Sequence, residues 1–287
     1  MPINQITVIG TGHIGGSFAL AIRSGGFRGT IVGCDRPEVL QAAQVRGAID
    51  SGIADPRMAV RGSDVVLLAT PIGAIIDMIE RIGPLLPPDT LLTDTGSTKL
   101  QIVERARAVF GQSAGQRFLP GHPMAGKERS GIEQATPDLF DGAYWIFTPI
   151  DQRLHARSAE YMELVETTGA RNITMDPARH DTVCAWTSHL PQMVATALGS
   201  ALLEELGDDR QALGLKSRGL REMTRTAASP YSVWRDIALT NADNLQPALL
   251  RLEQHLAHLR ENLKTRELEQ AFERANEMRR RLERSNE

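Results

Sequence analysis

Short β-branched runs alternate with longer stretches of helical period along the first 175 residues. Residues 6–9, 30–34, 65–70, 91–93, 118–119 and 143–148 read as strands, and 17–23 and 74–82 as helices, with a further helix starting at Leu100. Short apolar strands separated by helices predict a parallel sheet buried on both faces. Strand signals stop near Ile173. Beyond Pro177 the pattern is helical over 182–206, 212–228, 232–241 and 245–285, the last as one long charged helix with a stripe at Leu249, Leu252, Leu256 and Leu259. The chain therefore divides near residue 175: an α/β domain over 1–175, then an all-helical domain over 176–287.

The first strand runs into "GTGHIGGSFALAI", which puts Gly10, Gly12 and Gly15 in G-x-G-x-x-G spacing between a strand and a helix. The glycines suit a tight turn, a pyrophosphate against the backbone and close helix–sheet packing, and the helix N-terminus offers N–H groups to the phosphates. With Thr11, His13 and Ile14 they form a candidate cofactor cradle of a Rossmann-type, doubly wound sheet. Asp35 lies 20 residues past Gly15, at the end of the second strand. A carboxylate there accepts from a ribose diol and repels a 2′-phosphate, which favours NAD over NADP, although the adjacent Arg36 softens that preference. A purely structural glycine turn is the alternative.

Ligands of open α/β sheets gather outside the carboxyl ends of the strands. There stand Thr70 and Pro71 as a possible wall over the cofactor, and Ser97 in "DTGSTK", as either a helix cap or a hydroxyl in the cleft. There too stands His122 in "GHPMAGKERSG", which reads as a loop. An imidazole with a pKa near 6.5 beside a hydride acceptor suits alcohol oxidation, taking the hydroxyl proton as hydride leaves the carbon. A structural loop histidine is the competing reading.

Composition changes this picture little. The chain has 287 residues, 41% hydrophobic and 23% charged, with net charge −3, so neither nucleic acid nor an anionic membrane surface is implied as a partner. Cys34 and Cys184 are far apart and make neither a disulfide framework nor a zinc spacing, and His255 and His258 lack a nearby carboxylate, so no metal is expected. No basic leader or long apolar run opens the chain, which predicts a cytoplasmic protein, and 287 residues leave no room for an appended regulatory domain.

Four further segments carry a specific resemblance. "DTGSTK", "GHPMAGKERSG", "HDTVCAWTSHLP" and "GLREMTRTAASPYSVWRDI" occur in this order, and with the glycine turn they resemble the prephenate/arogenate dehydrogenase family along nearly the whole chain. The resemblance implies oxidative decarboxylation of prephenate or arogenate with NAD(P)+. It implies His122 as the catalytic histidine, Ser97 as its support, Arg225 as a carboxylate-binding residue and His189 as a pocket histidine. It further implies a polar gate at Glu128 and an aromatic wall at Trp234. Gln192 stands where many members carry a second histidine and Glu222 where they carry aspartate, so the choice between the two substrates stays open. His180 and Asp181 match a family pair or simply start a helix.

The residues agree independently with an anionic substrate. Arg218, Arg221 and Arg225 fall at i, i+3 and i+7 on one helical face, and a guanidinium grips a carboxylate through two parallel bonds. Competing functions are a 3-hydroxyacid dehydrogenase, a non-enzymatic dinucleotide-binding regulator, and an enzyme for an amino analogue of prephenate. The first needs a lysine base on the helical domain, where Lys216 is the only lysine among the central helices and sits beside the arginine helix instead. The apolar stripes of the helical half exceed what one sheet face buries, so a homodimer through those helices is expected, as the resemblance also implies.

Overall fold

The computed structural model describes residues 2–126 and 130–284. Six strands form a sheet in which every pairing is parallel: β1 (Gln5–Ile9), β2 (Thr30–Cys34), β3 (Ser51–Gly52), β4 (Val65–Leu68), β5 (Leu91–Asp94) and β6 (Phe118–Leu119), in the order β3-β2-β1-β4-β5-β6. Side chains alternate across the sheet, and both faces are apolar. Val8 and Leu67 join Phe18, Ile22, Trp145 and Tyr161 in one layer. Ile9 and Leu68 join Ile75, Ile79, Ile102 and Phe118 in the other. Each such side chain, taken out of water, contributes about 1.5–3 kcal/mol, so double burial selects strands such as "VVLL" that are apolar throughout. Strand order reverses between β1 and β4, which opens a crevice at the carboxyl ends of β1, β4 and β5.

The expected series of parallel strands ends at β6. Residues Gly121–Pro123, expected as loop, form β7, which pairs antiparallel with β8 (Tyr144–Phe147), and β8 pairs parallel with β9 (Arg171–Thr174). This second sheet of three strands was not anticipated, because a three-residue strand containing glycine and proline carries no alternation to read. It places His122 opposite Ile146 in a fixed register rather than on a free loop.

Three expected helices are divided. Pro177–Cys184 and Leu190–Leu206 are separated by a π-turn, Ala185–His189. Pro191 has no N–H to return to the carbonyl four residues back, and the ladder shifts ahead of it. The stretch 212–228 resolves into Arg210–Gly214, Arg218–Thr224 and a 3-10 turn at Arg225–Ala228. Ser217 caps the second piece by accepting from Leu220 N at 3.1 Å. The long final helix is two, Ala242–Glu261 and Arg266–Arg284. Asn262 closes the first, Thr265 Oγ1 accepts from Glu267 N at 3.3 Å, and Glu267 and Glu269 sit favourably in the first turn of the second.

The chain forms two compact units, residues 1–242 and 243–287. The helical segments up to Ala242 thus belong with the sheet, and the second unit is the final helical pair. No helix among the described residues is long and apolar enough to cross a membrane.

Candidate active site

The glycine turn is shaped by two close approaches and one open side. Gly10 has φ +91°, and a Cβ there would meet Ala69 O at 2.4 Å and the Thr70 methyl at 2.8 Å. A Cβ on Gly15 would meet Gly10 O at 2.0 Å, so helix His13–Ser24 packs against the turn only because Gly15 has none. A Cβ on Gly12 would meet nothing within 4 Å. That side faces open space beside a helix N-terminus with no side-chain cap, which fits a pyrophosphate. Asp35 accepts from Thr11 N at 2.8 Å through one oxygen and from Arg36 N at 2.8 Å through the other. Arg36 is exposed and its guanidinium turns to Glu38 at 3.3 Å. Ile14 packs on the core, Thr70 stands against Gly10 and Pro71 precedes helix Ile72–Ile82. His13, the first residue of helix His13–Ser24, is buried.

After β5 the chain turns through "TGSTK" around a fully buried ion pair, Asp94 with Lys99. Lys99 Nζ also donates to Gly121 O at 2.6 Å, while Asp94 accepts from Gly121 N at 3.2 Å and from Gly96 N at 2.7 Å. Burial pushes the Asp94 carboxyl up and the Lys99 ammonium down, and the opposite charge of each partner works against that push. Breaking one member of such a pair leaves an uncompensated buried charge. The pair fixes the peptide just before His122 and the one just before Ser97.

His122 is buried, and its Nδ1 lies 2.8 Å from His180 Nε2. His180 Nδ1 lies 2.8 Å from Asp181 Oδ1. Asp181 accepts in turn from Lys99 N at 2.7 Å and Leu100 N at 2.9 Å, capping helix Leu100–Phe110 from a distant part of the chain. A carboxylate only accepts, so His180 carries its proton on Nδ1 and offers Nε2 as an acceptor. His122 must then carry its proton on Nδ1, which leaves the lone pair on Nε2. Burial, reinforced by His180, Lys99 and His189, holds His122 well below the usual histidine range. Burial likewise lowers His180, against the pull of Asp181. Both rings are neutral at pH 7.

His122 and Ser97 line one cleft of about 360 Å³ together with Gln192, Arg225 and Trp234. Ser97 is not the helix cap, since Asp181 fills that role. Gln192 donates to Thr226 O at 3.0 Å, holding the cleft wall to the 3-10 turn that presents Arg225. The three arginines do not converge: Arg218 pairs with Glu222 at 2.8 Å and Arg221 lies along a different groove, because the helix ends at Thr224. His189 is not on the cleft wall. It packs edge to face on Trp234 and Nδ1 takes a bond of 3.0 Å from Asn241, which also donates to Asp181 O at 2.9 Å. Burial lowers His189 to about 4. Glu128 lies outside the described residues.

The sequence reading missed the partners of His122. His180 and Asp181 stood out only as a family pair, and the usable signal was their adjacency on a helix with Cys184 one turn on. It also missed Asp236 of "VWRDI", which accepts from Gly73 N at 3.0 Å and so ties helix Tyr231–Thr240 to the first turn of Ile72–Ile82. Burial alone would raise Asp236, but donation by Gly73 and Arg235 outweighs it and holds the carboxyl low.

A dinucleotide cradle at the end of β1 and a neutral, oriented imidazole on β7 of the second sheet define an NAD-dependent oxidoreductase of two-part construction. The family models agree: "Prephenate dehydrogenase, nucleotide-binding domain" matches residues 18–174 and "Prephenate dehydrogenase, dimerization domain" matches 176–278. The chain belongs to the prephenate dehydrogenase family. Prephenate dehydrogenase of Lactococcus lactis is 32% identical over 98% of this chain and 78% of its own length. The crystal structure of the Aquifex aeolicus enzyme with hydroxyphenyl propionate and NAD+ superposes with TM-score 0.85 at 30% identity, covering 99% of this chain and 98% of that one. Arogenate dehydrogenase of Synechocystis superposes with TM-score 0.80, also at 30% identity, over 97% and 99%.

Proposed function

We propose that the protein oxidises and decarboxylates a cyclohexadienyl acid, prephenate or arogenate, with NAD+, giving 4-hydroxyphenylpyruvate or tyrosine, and that His122 is the general base. The observation that carries this reading is the chain Asp181–His180–His122. It sets the tautomer that leaves Nε2 of His122 able to accept the ring hydroxyl proton. As that proton arrives, Nδ1–H stays bonded to His180 and the Asp181 carboxylate offsets the new charge. Bound NAD+ supplies the acceptor for the hydride that leaves the hydroxyl-bearing carbon. Loss of CO2 from the opposite ring carbon makes the ring aromatic.

Arg225 grips the side-chain carboxylate rather than the group that departs, since holding the departing carboxylate as an anion would stabilise the ground state. Ser97 lies beside the base, where its hydroxyl supports ring and nicotinamide, and Gln192 and Trp234 shape the cleft. Asp35 favours NAD over NADP, and the turn of Arg36 toward Glu38 supports that preference. The 3-hydroxyacid alternative is disfavoured because Lys216 is exposed and does not line the cleft of His122. We place the boundary between the cofactor part and the helical part at 175/176, which falls inside the first compact unit, and assign dimerisation to the helical half. Leu203, Leu215 and Leu239 are 68%, 81% and 70% exposed, which leaves apolar surface in that half for a second copy to cover.

Steady-state kinetics with prephenate and arogenate, each with NAD+ and NADP+, test the reading. NADH formation with stoichiometric CO2 is the expected result. Turnover of hydroxyisobutyrate with neither diene consumed would overturn it.

A further inference from the structure

We propose that His122, His180 and Cys184 form a binding site for a borderline-soft divalent cation of the zinc type, and that filling it switches the enzyme off. The three side chains are buried, and their ligand-type atoms, Nδ1, Nε2 and Sγ, lie within 4.8 Å of one another. Sγ is 3.5 Å from His180 Nε2 and 4.0 Å from His122 Nδ1. Around a tetrahedral ion with usual bond lengths, neighbouring ligands are roughly 3.3 Å apart for two nitrogens and about 3.5 Å for nitrogen and sulfur. The His180–Cys184 spacing already fits, because one turn of helix Pro177–Cys184 sets it. The two rings, at 2.8 Å, need to part by about half an ångström.

Two more features suit a cation. His180 donates its other ring N–H to Asp181, which is itself held by two backbone N–H groups, and an oriented carboxylate behind a histidine is the usual support of a metal ligand. Among the described residues, the buried charged groups acting on these side chains are Asp94, Lys99 and Asp181, which sum to minus one when rings and thiol are neutral. A dication bound with loss of the thiol proton brings that sum to zero. The proposed catalysis gives Cys184 no task.

The atoms balance simply. The cation takes Nδ1 of His122, Nε2 of His180 and the thiolate of Cys184, and water fills the fourth position. The His122 proton moves from Nδ1 to Nε2, and the thiol proton leaves to solvent, one per ion. Nε2 then bears hydrogen and no longer accepts the substrate proton. The binding site stands on geometry alone, whereas the switch rests on His122 being the base.

Metal-stripped full-length protein is titrated with Co2+, then with Zn2+, and both absorbance and turnover are followed. One Co2+ per chain with a thiolate-to-cobalt band in the near ultraviolet, displaced by Zn2+, is the expected result, along with inhibition by Zn2+. Cys184→Ser and, as a second variant, Cys184→Ala are expected to lose the band, to need at least tenfold more Zn2+ for inhibition, and to keep metal-free turnover. No band in the unaltered protein, or equal Zn2+ sensitivity in both cysteine variants, overturns the site. A thiolate band with undiminished turnover keeps the site and refutes the switch together with the base assignment.

Discussion

His122 and His180 meet nitrogen to nitrogen at 2.8 Å, although 58 residues separate them in the chain. The contact joins the short strand β7 to the first helix after the α/β region. Asp181 closes it from behind while capping helix Leu100–Phe110. Orientation of the base and anchoring of that helix therefore depend on one carboxylate.

Asp181→Ala is expected to fail on both counts. Loss of the acceptor frees His180 to turn and removes the preference for the Nδ1–H tautomer of His122, so kcat falls by about 10²–10⁴-fold, as when an orienting carboxylate is lost elsewhere. The buried N–H of Lys99 and the part-buried N–H of Leu100 lose their partner, which costs about 1–3 kcal/mol for the first and less for the second, and is read as a lower urea midpoint. A variant with unaltered kcat and midpoint would refute the arrangement.

Arg225→Ala is expected to raise KM for the acid about 10- to 100-fold, the range set by about 1.5–3 kcal/mol for a bond to a charged group, with kcat changed less. Arg225→Lys restores only part of this, because an ammonium cannot form the paired bonds. Unchanged saturation in both variants would move the carboxylate site elsewhere.

Asp35→Ser is expected to raise KM for NAD+ about tenfold and to lower it for NADP+, since it removes both the ribose acceptor and the charge facing a 2′-phosphate. Some of the loss is structural, because Asp35 also holds Thr11 N. Initial rates with both cofactors separate the effects: a structural loss weakens both, and a selective one reverses their ratio.

Acid should destabilise the fold through His189. Its folded value of about 4 lies below the unfolded one near 6.5, so the unfolded chain binds the proton first. Stability from this ring is complete above pH 6.5 and is lost as pH falls toward 4, about 2 kcal/mol of it by pH 5. His189→Gln keeps an acceptor for Asn241 without titrating, so its urea midpoint should fall less between pH 7 and pH 5 than that of the unaltered protein. An equal fall in both would contradict the assignment.

Much of the α/β half was legible because its signals are local. β1, the glycine turn and the following helix are written in consecutive residues, and β2 and β6 were read at their observed bounds. Ser97 and His122 were brought to one cleft by reasoning from strand ends alone. What stayed hidden is non-local or weakly patterned. β7 is three residues long, Pro191 interrupts a helix whose apolar period continues past it, and Asp181 and Asp236 cap helices about 80 and 160 residues away. Arg221 shares a face with Arg225 only if the helix runs on, and it ends at Thr224. The break at 262–265 was readable, since Asn262 and Thr265 are ordinary stop and start residues, but the continuous charge pattern concealed it.

The central claim is that Nε2 of His122 takes the proton of the oxidised hydroxyl, and His122→Asn tests it most directly. With prephenate and NAD+ at neutral pH, kcat is expected to fall by about 10²–10⁴-fold while KM stays within a few-fold. Turnover at the level of the unaltered enzyme would contradict it.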